Sequence, residues 1–203
     1  MLLSQTDYHL FQIINNLAGT FTSINPWMRF LSEDGEYLFY VGILLYWFIP
    51  AVMNRRMVVQ SLVAACLSLG VGGLLSRFFY RDRPFVTHVV FQLIQHPANA
   101  SFPSDHATGA FVIASTIWLY RKKAGTIWLI VAECIAISRV WTGVHYPFDV
   151  VAGAILGILS AVGVHLLFTR WVIANKCLQF VIHTYEIIET KVWRKKHTPT
   201  ELN

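Results

Sequence analysis

Three short stretches of this chain carry residue types that can move a phosphoryl group. The most telling is Ser138-Arg139 followed by His145 and Asp149. A carboxylate four residues beyond a histidine can reach one imidazole nitrogen, fix the tautomer and leave the other nitrogen free to attack. The second stretch is Pro103-Ser104-Asp105-His106, where Ser104 opens an apolar segment read as a helix. A helix start aims free N–H groups outward and is a ready anion site, and His106 falls in its first turn. The third is Arg81-Asp82-Arg83-Pro84. Arg81, Arg83 and Arg139 offer planar donor forks suited to phosphate oxygens. Two histidines from different helices, one serving as nucleophile and the other as general acid, beside a group of arginines are what metal-free phosphoryl transfer demands.

The elements that must hold these residues are membrane helices. Only 13% of the 203 residues are charged and 55% are apolar, against about a quarter charged in an ordinary soluble domain. Met57 to Ser76 and Val150 to Thr169 are each 20 residues without Asp, Glu, Lys or Arg. As helix such a run extends roughly 30 Å, the thickness of the hydrocarbon layer. Backbone groups in lipid must be satisfied within the segment. The expectation is therefore an all-α, polytopic transmembrane bundle with about five spans near 37–53, 57–78, 104–120, 124–141 and 148–170. Residues 4–19 form either an interfacial amphipathic helix or a sixth span. Glycines recurring in the spans (Gly70, Gly72, Gly73, Gly153, Gly157 and Gly163) suit close helix packing in lipid.

With alternating spans, Arg55-Arg56, Arg121-Lys122-Lys123 and the basic tail from Arg170 onward fall on one side. The positive-inside rule makes that side cytoplasmic and turns the three chemical stretches outward. The net charge of +5 is explained by this topology, and no aromatic-interleaved basic stretch points to nucleic acid. Cys66, Cys134 and Cys177 are isolated, so neither a zinc site nor a disulfide framework is suggested. The N-terminus lacks the basic and long apolar regions of a cleaved signal peptide. No carboxylate cluster suggests a metal, and no cofactor is implied. With no repeat or linker, 1–203 reads as one domain, with a cytoplasmic tail from 171 that lies along the inner surface over 175–192 before the disordered end HTPTELN.

The chain resembles the type-2 phosphatidic acid phosphatases, whose signatures read KxxxxxxRP, PSGH and SRxxxxxHxxxD. The third is intact from Ser138 to Asp149; the second has Asp105 in place of glycine; the first keeps Arg83-Pro84 but has Ser76 at the lysine position. The resemblance implies that His145 attacks phosphorus and becomes a phosphohistidine, oriented by Asp149. It implies that His106 protonates the leaving oxygen and then activates water. Arg83, Arg139, Ser104 and the N–H groups of Asp105 and His106 would hold the phosphoryl oxygens, with Arg81 or Arg77 in place of the lysine. The PSDH variant, RPF, HYPFDV and HPANASFPSDH resemble the undecaprenyl-diphosphatase branch linked to bacitracin resistance. That branch implies a polyprenyl diphosphate substrate in the bacterial plasma membrane and a site on the outer face; the oligomeric state stays open.

Other readings are set beside this one. A glycerolipid phosphate phosphatase, acting on phosphatidylglycerophosphate or phosphatidate, would use the same motifs. A non-catalytic transport subunit would not need a His–Asp pair beside arginines, and a soluble haloperoxidase would not need the uncharged runs. His88 and His96 are expected to be solvated loop residues. Glu133 and His165, ionisable groups inside spans, have either a functional role or a packing or pairing role within the bundle, and the sequence assigns neither. Residues 85–95 are read as either a surface-lying lid or an ordinary interfacial loop.

Overall fold

The computed structural model describes residues 2–196, and the end from His197 onward lies outside the described residues. The described residues form helices without strands. In order these are α1 (Leu2–Asn15), α2 (Leu17–Thr20), a 3-10 turn (Thr22–Ile24), α3 (Asn25–Glu33), α4 (Gly35–Phe48) and α5 (Val52–Phe78). There follow α6 (Pro84–Thr87), α7 (Asp105–Tyr120), α8 (Lys122–Trp141), α9 (Pro147–Arg170) and α10 (Val172–Lys196).

The most buried helix is α7, and α5, α8 and α9 pack around it. Its Ala107, Val112, Ala114 and Ile117 are almost wholly enclosed. Close approach of α7 to α9 depends on two glycines. A Cβ on Gly153 would stand 2.6 Å from the Ser104 carbonyl oxygen, and one on Gly157 would stand 2.6 Å from that of Thr108. Gly70, Gly73 and Gly163, also expected at packing faces, look onto open space. The outward surface is apolar: Leu62, Leu67, Leu74, Ile130, Ile155 and Leu159 are all exposed. Leaving so much apolar area in water would forfeit about 25 cal/mol per Å², so the natural solvent of this surface is lipid. Helices α5, α8 and α9 are each long and apolar enough to cross a membrane.

Several expected boundaries shift. Helix α4 ends at Phe48, two residues ahead of Pro50, because the residue before a proline is disfavoured in helical conformation. Helix α5 starts at Val52, so Arg55 and Arg56 lie in its first turns rather than in a connection. Arg55 pairs with Glu186 at 2.9 Å and Glu189 at 2.6 Å, Arg56 donates to Asn175, and Arg121 donates to Asn54 at 2.7 Å. Residues from one end of α10 to near the other thus touch the same end of α5. Helix α10 lies across that end of the bundle, with Leu178 and Ile182 buried beneath it. Helix α1 lies across the opposite end, since Asn15 bonds to the last residue of α8, Trp141, and Asp7 to Phe148 in the first turn of α9. Its 14 residues extend about 21 Å as helix, short of the roughly 30 Å of a bilayer core.

Candidate active site

The three chemical stretches meet at the end of the bundle covered by α1. Pro103 follows a cis peptide bond, and Ser104 caps α7 by accepting from the Ala107 N–H. The Ser104 N–H in turn donates to the Asp149 carbonyl oxygen at 3.0 Å, locking the start of α7 to the start of α9. The N–H groups of Asp105 and His106 lie in the first turn of α7, where no preceding carbonyl can bond them.

His145 sits on the turn joining α8 to α9. The Arg139 carbonyl accepts from the N–H groups of Val144 (3.2 Å) and His145 (3.3 Å), so the turn folds back on α8. Gly143 supplies the positive φ of 82° that this reversal requires. His145 Nδ1 lies 3.7 Å from Asp149 Oδ2, too far for a direct hydrogen bond. Ser101 bridges the gap, its Oγ standing 3.4 Å from Nδ1 and donating to Oδ2 at 2.5 Å. Arg83 Nη1 lies 3.0 Å from His145 Nε2. Arginine can only donate, so Nε2 carries the lone pair and Nδ1 the proton. Burial holds the His145 imidazole well below its usual range, to about 4; Arg139 and Arg83 push it the same way, against Asp149. The ring is therefore neutral at pH 7, with a lone pair on the nitrogen facing the arginines.

Arg139 is the least satisfied group in the site. It is 1% exposed, and its Nη1 donates to Ser32 O at 2.5 Å and Ser32 Oγ at 3.1 Å. Its Nε and Nη2 are buried with no hydrogen-bond partner. Arg83, by contrast, is engaged on every side, donating to Asn99 Oδ1 (2.9 Å), Val144 O (3.0 Å) and Ala100 O (3.2 Å). Arg81 Nη1 donates to Asp7 Oδ2 at 2.6 Å and Asp149 Oδ1 at 3.1 Å, and its guanidinium lies 3.7 Å above the Tyr146 ring. His106 Nε2 stands 3.7 Å from Glu36 Oε2, with Arg83, Arg139, His96 and His145 near enough to act on it electrostatically.

The candidates from all three motifs are thus brought together, but their partners come from elsewhere. Ser32, Glu36 and Asp7 lie outside every motif and carry no signal in the sequence, while Asn99 and Ser101 lie in the HPANASFPSDH stretch, whose resemblance assigns neither a role. His96, expected to be solvated, is half-buried with its ring 6.3 Å from that of His145. Burial there lowers its basicity, as do Arg83 and Arg139. His88 stacks on Tyr8 at 3.9 Å. Ser76, at the position of the missing lysine, donates to Gly72 O and Phe102 O, and Arg77 is exposed. Glu133 faces outward and lines an apolar cleft of about 600 Å³ beside α8 and α9. His165 pairs with Gln60 at 3.1 Å. The 85–95 segment is pinned by Asn15, which donates to Phe91 O and accepts from its N–H, and by the Leu93 N–H donating to Thr142 O.

A lipid-solvated helical bundle with a neutral histidine, a buried carboxylate and an arginine fork facing one another defines a membrane-embedded phosphoryl-transfer protein. The chain belongs to the PAP2 superfamily, whose family model matches residues 57–173, and is a membrane lipid phosphatase. It is 36% identical over 201 residues to the bacitracin transport permease protein BcrC of Bacillus licheniformis, covering 97% of this chain and 96% of that one. It is 30% identical over 198 residues to undecaprenyl-diphosphatase BcrC of Bacillus subtilis, covering 97% and 99%. It is also similar to the crystal structure of a transmembrane PAP2-type phosphatidylglycerolphosphate phosphatase from Bacillus subtilis. That match has a TM-score of 0.64 at 20% identity and covers 84% of this chain and 88% of that one.

Proposed function

We propose that this protein hydrolyses undecaprenyl diphosphate to undecaprenyl phosphate and inorganic phosphate at the outer face of the bacterial plasma membrane, through a phosphohistidine on His145. The observation that carries this reading is Arg139, whose two buried, unpartnered donors call for an anion. An unpaired buried charge costs several kcal/mol, which a bound phosphoryl group would offset.

In this reading His145 Nε2 attacks the terminal phosphorus while its Nδ1–H is held toward Asp149 through Ser101. The bridging P–O bond breaks, and His106 gives the leaving oxygen a proton. His106 then takes a proton from water, whose oxygen displaces the histidine and frees phosphate as the N–P bond breaks. Arg139, Ser104 and the N–H groups of Asp105 and His106 hold the phosphoryl oxygens. Arg83 Nη1 occupies the attack position in this state, so it would move onto a phosphoryl oxygen as the substrate enters. Neither step needs a cofactor. The apolar cleft bounded by Ile14, Ile130, Ile137, Val140, Pro147 and Val151 begins two residues from His145 and suits an isoprenoid tail. The outer-face assignment rests on the basic residues Arg55, Arg56, Arg121, Lys122 and Lys123 gathered at the end opposite the site. The single-domain reading rests on the enclosure of α7 by its neighbours.

The name of the Bacillus licheniformis relative, a bacitracin transport permease protein, favours a second reading, a subunit of bacitracin export. Phosphate release from undecaprenyl diphosphate and from phosphatidylglycerophosphate, by purified protein in detergent with excess chelator, separates the possibilities. Faster, chelator-resistant release from the diphosphate is the expected result. Release from the glycerolipid alone would move the substrate, and no release from either would leave transport.

A further inference from the structure

We propose that Asp7, on the N-terminal helix α1, is a positioning residue for the reaction, acting through Arg81 on the carboxylate of Asp149. This rests on the phosphatase reading above. Asp7 is 1% exposed and lies outside the family-matched residues 57–173, yet both of its oxygens are spent on the site. Oδ2 accepts from Arg81 Nη1 at 2.6 Å. Oδ1 accepts from the Phe148 N–H at 2.9 Å, in the first turn of α9, between Tyr146 and Asp149. One carboxylate thus caps the helix that carries Asp149 and anchors the arginine that bonds Asp149.

Asp149 is held on three sides. Oδ2 accepts from Ser101 Oγ and from the Tyr146 N–H, and Oδ1 accepts from Arg81. The first two bonds orient the carboxylate toward His145. The third draws its charge the other way, toward a cation. Asp7 balances that cation, so that one arginine is shared between two buried carboxylates and Asp149 keeps its charge for the Ser101–His145 relay. Tyr146, lying against the guanidinium at 3.7 Å, keeps the arginine in the plane that reaches both carboxylates. The same geometry gives Arg81 a role unlike that of Arg139. Its Nη1 is committed to two carboxylates, whereas Arg139 keeps two donors free. A carboxylate from α1 also explains why that helix crosses the site end of the bundle, where Phe11 packs against Tyr146.

The test compares Asp7→Asn, Arg81→Gln and the double variant with wild-type protein in detergent, measuring kcat and KM for undecaprenyl diphosphate and the melting temperature of each. The asparagine keeps an acceptor for the Phe148 N–H and removes only the charge. A positioning role lowers kcat roughly 10- to 100-fold, as loss of a supporting shell does, while KM moves by less than about threefold because Asp7 touches no phosphate. In the Arg81→Gln background the Asp7 change should alter kcat by less than about twofold, because contacting residues in one network are not additive. Wild-type kcat in a folded Asp7→Asn protein would overturn the inference, as would the same fold-loss with and without Arg81. A rise in KM alone, or a fall in melting temperature alone, would reduce Asp7 to a binding or folding element. Wild-type protein that releases no phosphate would overturn the phosphatase reading itself.

Discussion

Replacing Arg139 with methionine should lower activity sharply while leaving the empty protein as stable as before or more so. The structure sets both magnitudes. If Nε and Nη2 hold phosphoryl oxygens, the variant loses two charge-assisted hydrogen bonds worth about 1.5–3 kcal/mol each. That corresponds to roughly 10²- to 10⁴-fold in kcat/KM. In the empty protein the balance is different. The bonds from Nη1 to Ser32 are lost, but Ser32 Oγ keeps Thr142 at 3.0 Å. Two orphaned buried donors, each costing about 1–3 kcal/mol, are removed together with the desolvation of the cation itself. Differential scanning fluorimetry in detergent, with and without inorganic phosphate, reads this directly. Phosphate should raise the wild-type melting temperature, by mass action on the folded state, and should leave Arg139→Met unmoved. A variant that melts well below wild type yet keeps most of its kcat/KM would show that Arg139 is a structural cation tied to Ser32, and would refute the argument.

Three shorter expectations follow from the same geometry. Because His145 is held neutral down to about pH 4, the acid limb of kcat/KM assigned to the nucleophile should fall near 4 and not near 6.5, and Arg83→Gln, which removes a neighbouring cation, should move it upward in the residual activity. Ser101→Ala should lower kcat roughly tenfold or more with little change in KM, because His145 and Asp149 are left 3.7 Å apart with nothing between them. Gly143→Ala, measured by melting temperature and activity together, should destabilise the site turn by more than about 1 kcal/mol, since the position has φ 82° and the new Cβ would stand 2.8 Å from the Phe91 carbonyl oxygen.

The helical class and the identity of the facing motifs were legible in the sequence for plain physical reasons. Uncharged 20-residue runs and fixed His–Asp spacing are local patterns, and α5, α9 and the Ser138–Asp149 stretch express them. What was hidden is carried by pairings across long separations. Ser101 lies in the HPANASFPSDH stretch, which resembles the family without giving this serine a role, and only the fold places it between His145 and Asp149. Arg81 reads as a phosphate ligand by residue type, because Asp7 and Asp149, 74 and 68 residues away, cannot be recognised as its partners beforehand. Ser32 and Glu36 reach the site from α3 and α4, far upstream of any motif. His96 was expected in solvent because loops usually lie there; here the 85–95 segment is clamped by Asn15 and Thr142 and brings the histidine in behind it. The orientation of α1 was open between two states because its apolar face has no partner in the sequence to say which way it lies.

The most direct test of the phosphohistidine on His145 is trapping of the phosphoryl group in base during turnover. Wild-type protein in detergent with excess chelator would be mixed with undecaprenyl diphosphate labelled at the terminal phosphorus, quenched in base within milliseconds and mapped by peptide. A base-stable, acid-labile label is expected on the peptide containing His145, absent from His145→Gln. Phosphate release at the wild-type rate with no label on the protein, or a label that persists in His145→Gln, would contradict it.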